Sequence, residues 1–116
     1  MSNISAEEWQ FLSFFEVEPE LSEGDIPWGY NDALYKVQQG DFVLSFAIAP
    51  AFGDVRLILT YRDMKMYELN VLGVKDVRHR HEGKFDTLEI EIGDSERLTI
   101  RLKPHIELTH GVKRIR

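Results

Sequence analysis

Two histidines two positions apart, in Arg78-His79-Arg80-His81, are the residues whose types and spacing come nearest to chemistry. Alternate residues of a strand project from the same face, so His79 and His81 would stand side by side, and neutral imidazole is a common ligand for transition metals. Arg78, Arg80 and Lys84 would repel a cation there, and the same stretch reads as a solvated, basic hairpin tip. Nucleophilic chemistry has less support. The chain has no cysteine and no G-x-S-x-G turn, and no serine is placed by sequence beside a histidine and a carboxylate. Phosphate-binding and dinucleotide-binding glycine patterns are absent too. Twenty Asp and Glu side chains offer many acid–base pairs, but no spacing selects one. The reading favours a protein that is not an enzyme, with no cofactor and no metal assigned.

A second set of residues is suited to recognition rather than reaction. Residues 1–32 contain Glu7, Glu8, Glu16, Glu18, Glu20, Glu23, Asp25 and Asp32 and no Lys or Arg, whereas the C-terminal Lys113-Arg114-Ile115-Arg116 is basic. Large aromatics sit among the acids: Trp9, Trp28 and Tyr30. Aromatics anchor interfaces and rim charges steer association. The expected partner surface therefore has Trp9, Trp28 and Tyr30 as anchors and Glu18, Glu20, Glu23 and Asp25 as steering charges.

These residues must be positioned by the elements around them. Ser5-Ala6-Glu7-Glu8 matches an S-x-x-E capping box, which predicts a helix over about Ala6 to Glu16. Ile4, Phe11, Leu12, Phe14 and Phe15 would form its apolar face, with Trp9 pointing away from the centre. Glu18 to Asp32, broken by Pro19, Gly24, Pro27 and Gly29, reads as an irregular acidic loop with little hydrogen-bonding order of its own. Ile26, Trp28 and Tyr30 either return to the core from it or form a recognition patch.

From Ala33 the apolar period becomes two. Strands are expected at about 33–38, 42–49, 55–61, 64–72, 74–81, 85–92, 98–102 and 106–109, with short turns that favour antiparallel pairing. The central hairpin turns through Pro50 and Gly53. It would pair Ile48 with Val55, Phe46 with Leu57, Leu44 with Leu59 and Phe42 with Tyr61, all on one face. In a second hairpin parity alone leaves two registers open: Glu91 opposite Arg97, or Glu89 opposite Arg101. The predicted fold is a single α+β domain, an N-terminal helix packed on a mainly antiparallel sheet of seven to eight strands, curled into a sandwich or half-open barrel.

At 116 residues the chain suffices for one core, burying roughly two thirds of its unfolded surface. A net charge of -6 argues against nucleic acid and anionic membrane as partners. Lack of cysteine suits a reducing compartment, and Met1-Ser2-Asn3-Ile4-Ser5 lacks the pattern of a secretion signal, so the expected location is the cytoplasm.

Two families are resembled. Gly73 six positions before His79, Asp86 where the family has Glu, and Gly93 seven positions after Asp86 resemble the first motif of cupins, double-stranded β-helix barrels. That resemblance implies His79, His81 and Asp86 as metal ligands with a later histidine, for which His110 is available; the second cupin motif is missing. In its small size, acidity and lack of a chemical motif, the chain resembles the stand-alone immunity proteins that bacteria make against toxin domains. That resemblance implies a non-catalytic protein acting by complementarity on a basic protein surface, and it is the favoured reading. The alternatives are a cupin-like metal- or ligand-binding barrel and an oligomeric structural module.

Overall fold

The computed structural model describes residues 4–112, so the basic Lys113-Arg114-Ile115-Arg116 lies outside the described residues. Eight of its nine strands fall where the period-two pattern places them. They are β2 (Ala33–Gln39), β3 (Phe42–Ala49), β4 (Asp54–Tyr61), β5 (Met64–Val71), β6 (Asp76–Glu82), β7 (Phe85–Glu91), β8 (Glu96–Arg101) and β9 (Glu107–Val112). The ninth, β1 (Glu20–Leu21), is a two-residue strand inside the segment expected to be irregular. Every pairing is antiparallel between sequence neighbours.

The strands do not form a single sheet of seven to eight. They divide into a five-stranded sheet, β1-β2-β3-β4-β5, and a four-stranded sheet, β6-β7-β8-β9. The division falls at Leu72-Gly73-Val74-Lys75. Gly73 takes a left-handed φ of 67° and turns the chain away from β5. The next two amides then donate elsewhere, Val74 N–H to Gly53 O at 2.8 Å and Lys75 N–H to Glu91 O at 2.7 Å. The link thus crosses the end of the molecule at the Pro50 loop and begins a new sheet. It passes so close that a Cβ on Gly53 would stand 3.2 Å from the Val74 carbonyl oxygen.

All four pairs expected across the Pro50 turn are present. Leu44, Phe46, Ile48, Val55 and Leu57 are fully buried, whereas Leu59 and Tyr61 are half-buried and Phe42 is 39% exposed. The face expected to be uniformly buried is therefore dry at the Pro50 end and open at the other. Val77, Leu88, Ile90, Leu98 and Ile100 of the four-stranded sheet complete the core. In the second hairpin Glu91 faces Arg97, which resolves the open register.

Helix α1 (Glu8–Phe15) is shorter than predicted, and Ser5 does not cap it. Ser5 is engaged by β6 instead: its N–H donates to Asp76 Oδ1 at 2.6 Å and its hydroxyl to Asp76 Oδ2 at 2.7 Å. Ala6 N–H donates to Val77 O at 2.8 Å. The cap passes to Glu7, whose N–H donates to Gln10 Oε1 at 2.8 Å. The helix buries Phe11, Phe14 and Phe15 and packs against β2 of one sheet and β6 and β7 of the other. Phe15 lies 4.8 Å from Tyr35 and 5.3 Å from Phe46, ring centre to ring centre. The opposite side is spanned by polar groups, since His110 on β9 meets the Tyr67 hydroxyl of β5 at 2.7 Å through Nδ1 and Glu96 Oε2 at 2.7 Å through Nε2.

Candidate functional site

The His-x-His stretch lies on β6, and strand alternation sends its members to opposite faces. Arg78 and Arg80 point outward into an ion-pair lattice, Arg78 with Asp76 and Glu91, and Arg80 with Glu89. His79 points inward, only 9% of its side chain exposed, with its ring 6.0 Å from Phe14 and edge-on to it. The expected solvated tip holds for residues 80–85, all exposed, but excludes His79; His81 meets Asp86 Oδ1 at 2.5 Å, while His79 Nε2 stands 3.5 Å from the same oxygen. His110 belongs to the separate bridge to Tyr67 and Glu96. Among the described residues no group of three or more His, Asp or Glu side chains is arranged to hold a metal. The topology also departs from a cupin: both sheets are simple meanders, whereas a jelly roll needs Greek-key crossings.

The acidic, aromatic N-terminal third lines the β2 side of the molecule. The segment after β1 is ordered by Asn31, the one polar residue among the described residues that is buried. Its Oδ1 accepts from Ser22 Oγ, Glu23 N–H and Asp32 N–H at 3.0, 3.2 and 2.9 Å. Its Nδ2 donates to the carbonyls of Glu23 and Ile26 at 2.5 and 2.9 Å. One side chain thus performs the hydrogen bonding the loop was expected to lack, and it holds the backbone of Glu23 in place. The aromatics separate. Trp28 is half-buried, its ring 5.3 Å from Phe11, and its indole N–H donates to the Tyr35 hydroxyl at 2.9 Å. Burial pushes that hydroxyl's pKa up to about 12, against the Trp28 hydrogen bond, which lowers it. Trp9 and Tyr30 face solvent, 61% and 69% exposed. Glu18, Glu20, Glu23 and Asp25 are exposed as well.

A groove of about 440 Å³ adjoins this segment on the outer face of the five-stranded sheet. Register explains its shape. Across β1, β2, β3 and β4 one row of outward side chains reads Glu20, Leu34, Ala47, Arg56, and the next row carries Ser45, Ile58 and Glu68. The small Ser45 and Ala47 leave a depression between Leu34 and Ile58. Asp32 stands at its margin, Oδ2 accepting from Arg56 Nη2 at 2.6 Å, while Oδ1 is shut from solvent with no hydrogen-bond partner among the described residues. Sequence reasoning missed the groove because it followed the inward parity of these strands. The signal was present in the other parity, where Leu34, Ala47 and Ile58 put apolar groups on the outward face as well.

No protein-family model matches the chain, and no curated protein matches it in sequence. In structure it is similar to a chain of the contact-dependent growth inhibition toxin–immunity protein complex from Klebsiella pneumoniae 342, with a TM-score of 0.79 and 22% identity over 96% of this chain and 98% of that one. At that identity the likeness establishes a shared fold.

Proposed function

We infer that this chain is an immunity-type protein: it binds a toxin domain in the cytoplasm of the cell that makes it and blocks the toxin by covering a basic surface. The observation that carries this reading is the segregation of charge. The chain has no Lys or Arg before Lys36, and the fold mounts that acidic segment along one side, with Trp9 and Tyr30 exposed and the loop backbone fixed by Asn31. The shared fold with a chain of a toxin–immunity complex supports the same reading. Trp9 and Tyr30 are the anchors, Trp28 supports the loop from beneath, and Glu18, Glu20, Glu23 and Asp25 steer approach.

The decisive test is growth of cells that express whichever toxin domain the genes neighbouring this chain's own encode, with and without the chain, together with calorimetry on the purified pair. Rescue of growth and a one-to-one complex are expected. Glu20→Lys with Glu23→Lys should slow association roughly tenfold at low salt and flatten its salt dependence. Trp9→Ala or Tyr30→Ala should act instead on dissociation, by about tenfold. Absence of rescue or of a complex would reject the reading. If the chain alone kills its host, it stands on the toxin side of such a pair.

A further inference from the structure

We propose that the groove on the outer face of the five-stranded sheet receives a long basic side chain, a lysine or arginine, projecting from the protein partner. The proposal rests on the reading of the chain as a protein-binding module and adds the chemistry of one contact.

The floor and rim make different demands on an occupant. Leu34, Ala47 and Ile58 offer an apolar floor of the length that an aliphatic stem can cover, and long cationic side chains bury their stems on apolar surface while keeping the charged end at the edge. The rim selects the charge. Glu20, Asp32 and Glu68 contribute three negative charges against the one positive charge of Arg56. Glu68 is paired with Lys65 at 2.8 Å, but among the described residues the Glu20 carboxylate has no ion pair. The Glu20 carboxylate thus awaits a donor, whereas Asp32 is already engaged by Arg56 through Oδ2 and its Oδ1, shut from solvent, lies out of an occupant's reach. An incoming ammonium or guanidinium would meet Glu20 in a charge-assisted hydrogen bond, the stronger kind. An acidic occupant would meet the rim carboxylates with like charge, and a purely apolar one would gain nothing from them.

The placement fits the chain's register. Glu20 lies opposite Leu34, and Ser22 N–H donates to Asp32 O at 3.1 Å, so Glu20 and Asp32 flank the same end of the groove. The Asn31-ordered loop continues from that end, which makes the groove and the acidic segment one continuous surface.

Capped tripeptides of the form acetyl-Gly-X-Gly-amide, with X as lysine, arginine, norleucine or glutamate, test the inference without any knowledge of the partner. Each is titrated at millimolar concentration into the ¹⁵N-labelled chain at low salt. The lysine or arginine peptide should shift the amide signals of Leu34, Ala47 and Ile58, with norleucine giving less than a third of that shift and glutamate none. Glu20→Gln, an exposed change that leaves the core untouched, should reduce the shifts at least threefold, as should Ser45→Leu, which fills the depression. Equal response to norleucine, response to glutamate, or no response to any peptide overturns the proposal. Specific basic-peptide shifts combined with no growth rescue would retain the groove and reject the immunity reading. Rescue with a silent groove would do the reverse.

Discussion

Asp76 shows how one carboxylate can link segments far apart in sequence. Burial pushes its pKa up, but donation from the Ser5 hydroxyl and amide, from Arg78 and from the Val77 amide outweighs that and holds it below the usual carboxylate range. In the unfolded chain the group titrates near ~3.9. Between the lower folded value and that point the unfolded state binds more protons, so this contribution to stability is complete above about pH 4 and is lost as pH falls through the folded value. Asp76→Asn should therefore lower the urea midpoint at pH 7 and narrow the gap to the parent as pH falls toward 2.5. A gap independent of pH would show that the Ser5 latch does not depend on the charge. His79 teaches a different lesson at the same scale. Its spacing to His81 suggested a shared solvent face, and parity was read correctly, but that face is the inner one at His79 and leaves the core only at His81.

At the scale of elements, the segment between β1 and β2 is the part most dependent on one residue. Asn31 supplies both acceptor and donor to backbone groups from Glu23 to Asp32, and an alanine there would leave several of them unpaired. Asn31→Ala should cost about 1–3 kcal/mol and raise amide exchange in residues 22–32 ahead of the sheets. Uniform loss of protection throughout the molecule would instead place Asn31 in the cooperative core. The two tryptophans should differ in the same experiment: Trp28→Ala removes a ring packed on Phe11 and a hydrogen bond to Tyr35, and Trp9→Ala removes neither. Opposite them, the outer face of the four-stranded sheet carries Arg78, Arg80, Glu89, Glu91 and Arg97 in alternating ion pairs. These pairs are half-buried at Glu89 and Glu91, and they act on register, since a slip of one residue would bring charge into the core.

The whole molecule is two antiparallel sheets joined along one side by aromatic packing and along the other by the Tyr67–His110–Glu96 bridge. Phe46 and Leu57 face each other at its centre with no exposure, so truncating either to alanine should cost about 2–5 kcal/mol in equilibrium unfolding. Phe42 belongs to the same sequence pattern but lies where the face opens, and Phe42→Ala should cost under about 1.5 kcal/mol. Equal costs at Phe42 and Phe46 would contradict the open end. The sequence by itself determined what depends on neighbours along the chain: strand positions, the pairs across the Pro50 turn, the apolar stripe of the helix and the outward turn of Trp9. These follow from side-chain period and turn chemistry, which are local. Only the tertiary structure decided where the meander breaks into two sheets, because the break is fixed by hydrogen bonds from Val74 to Gly53 and from Lys75 to Glu91. It likewise decided that Ser5 serves β6 rather than the helix, that Trp28 turns inward while Tyr30 stays out, and that small and apolar residues from β2, β3 and β4 meet in one groove. Each of these outcomes depends on residues distant in sequence competing for the same donor, acceptor or surface, and no periodicity records that competition.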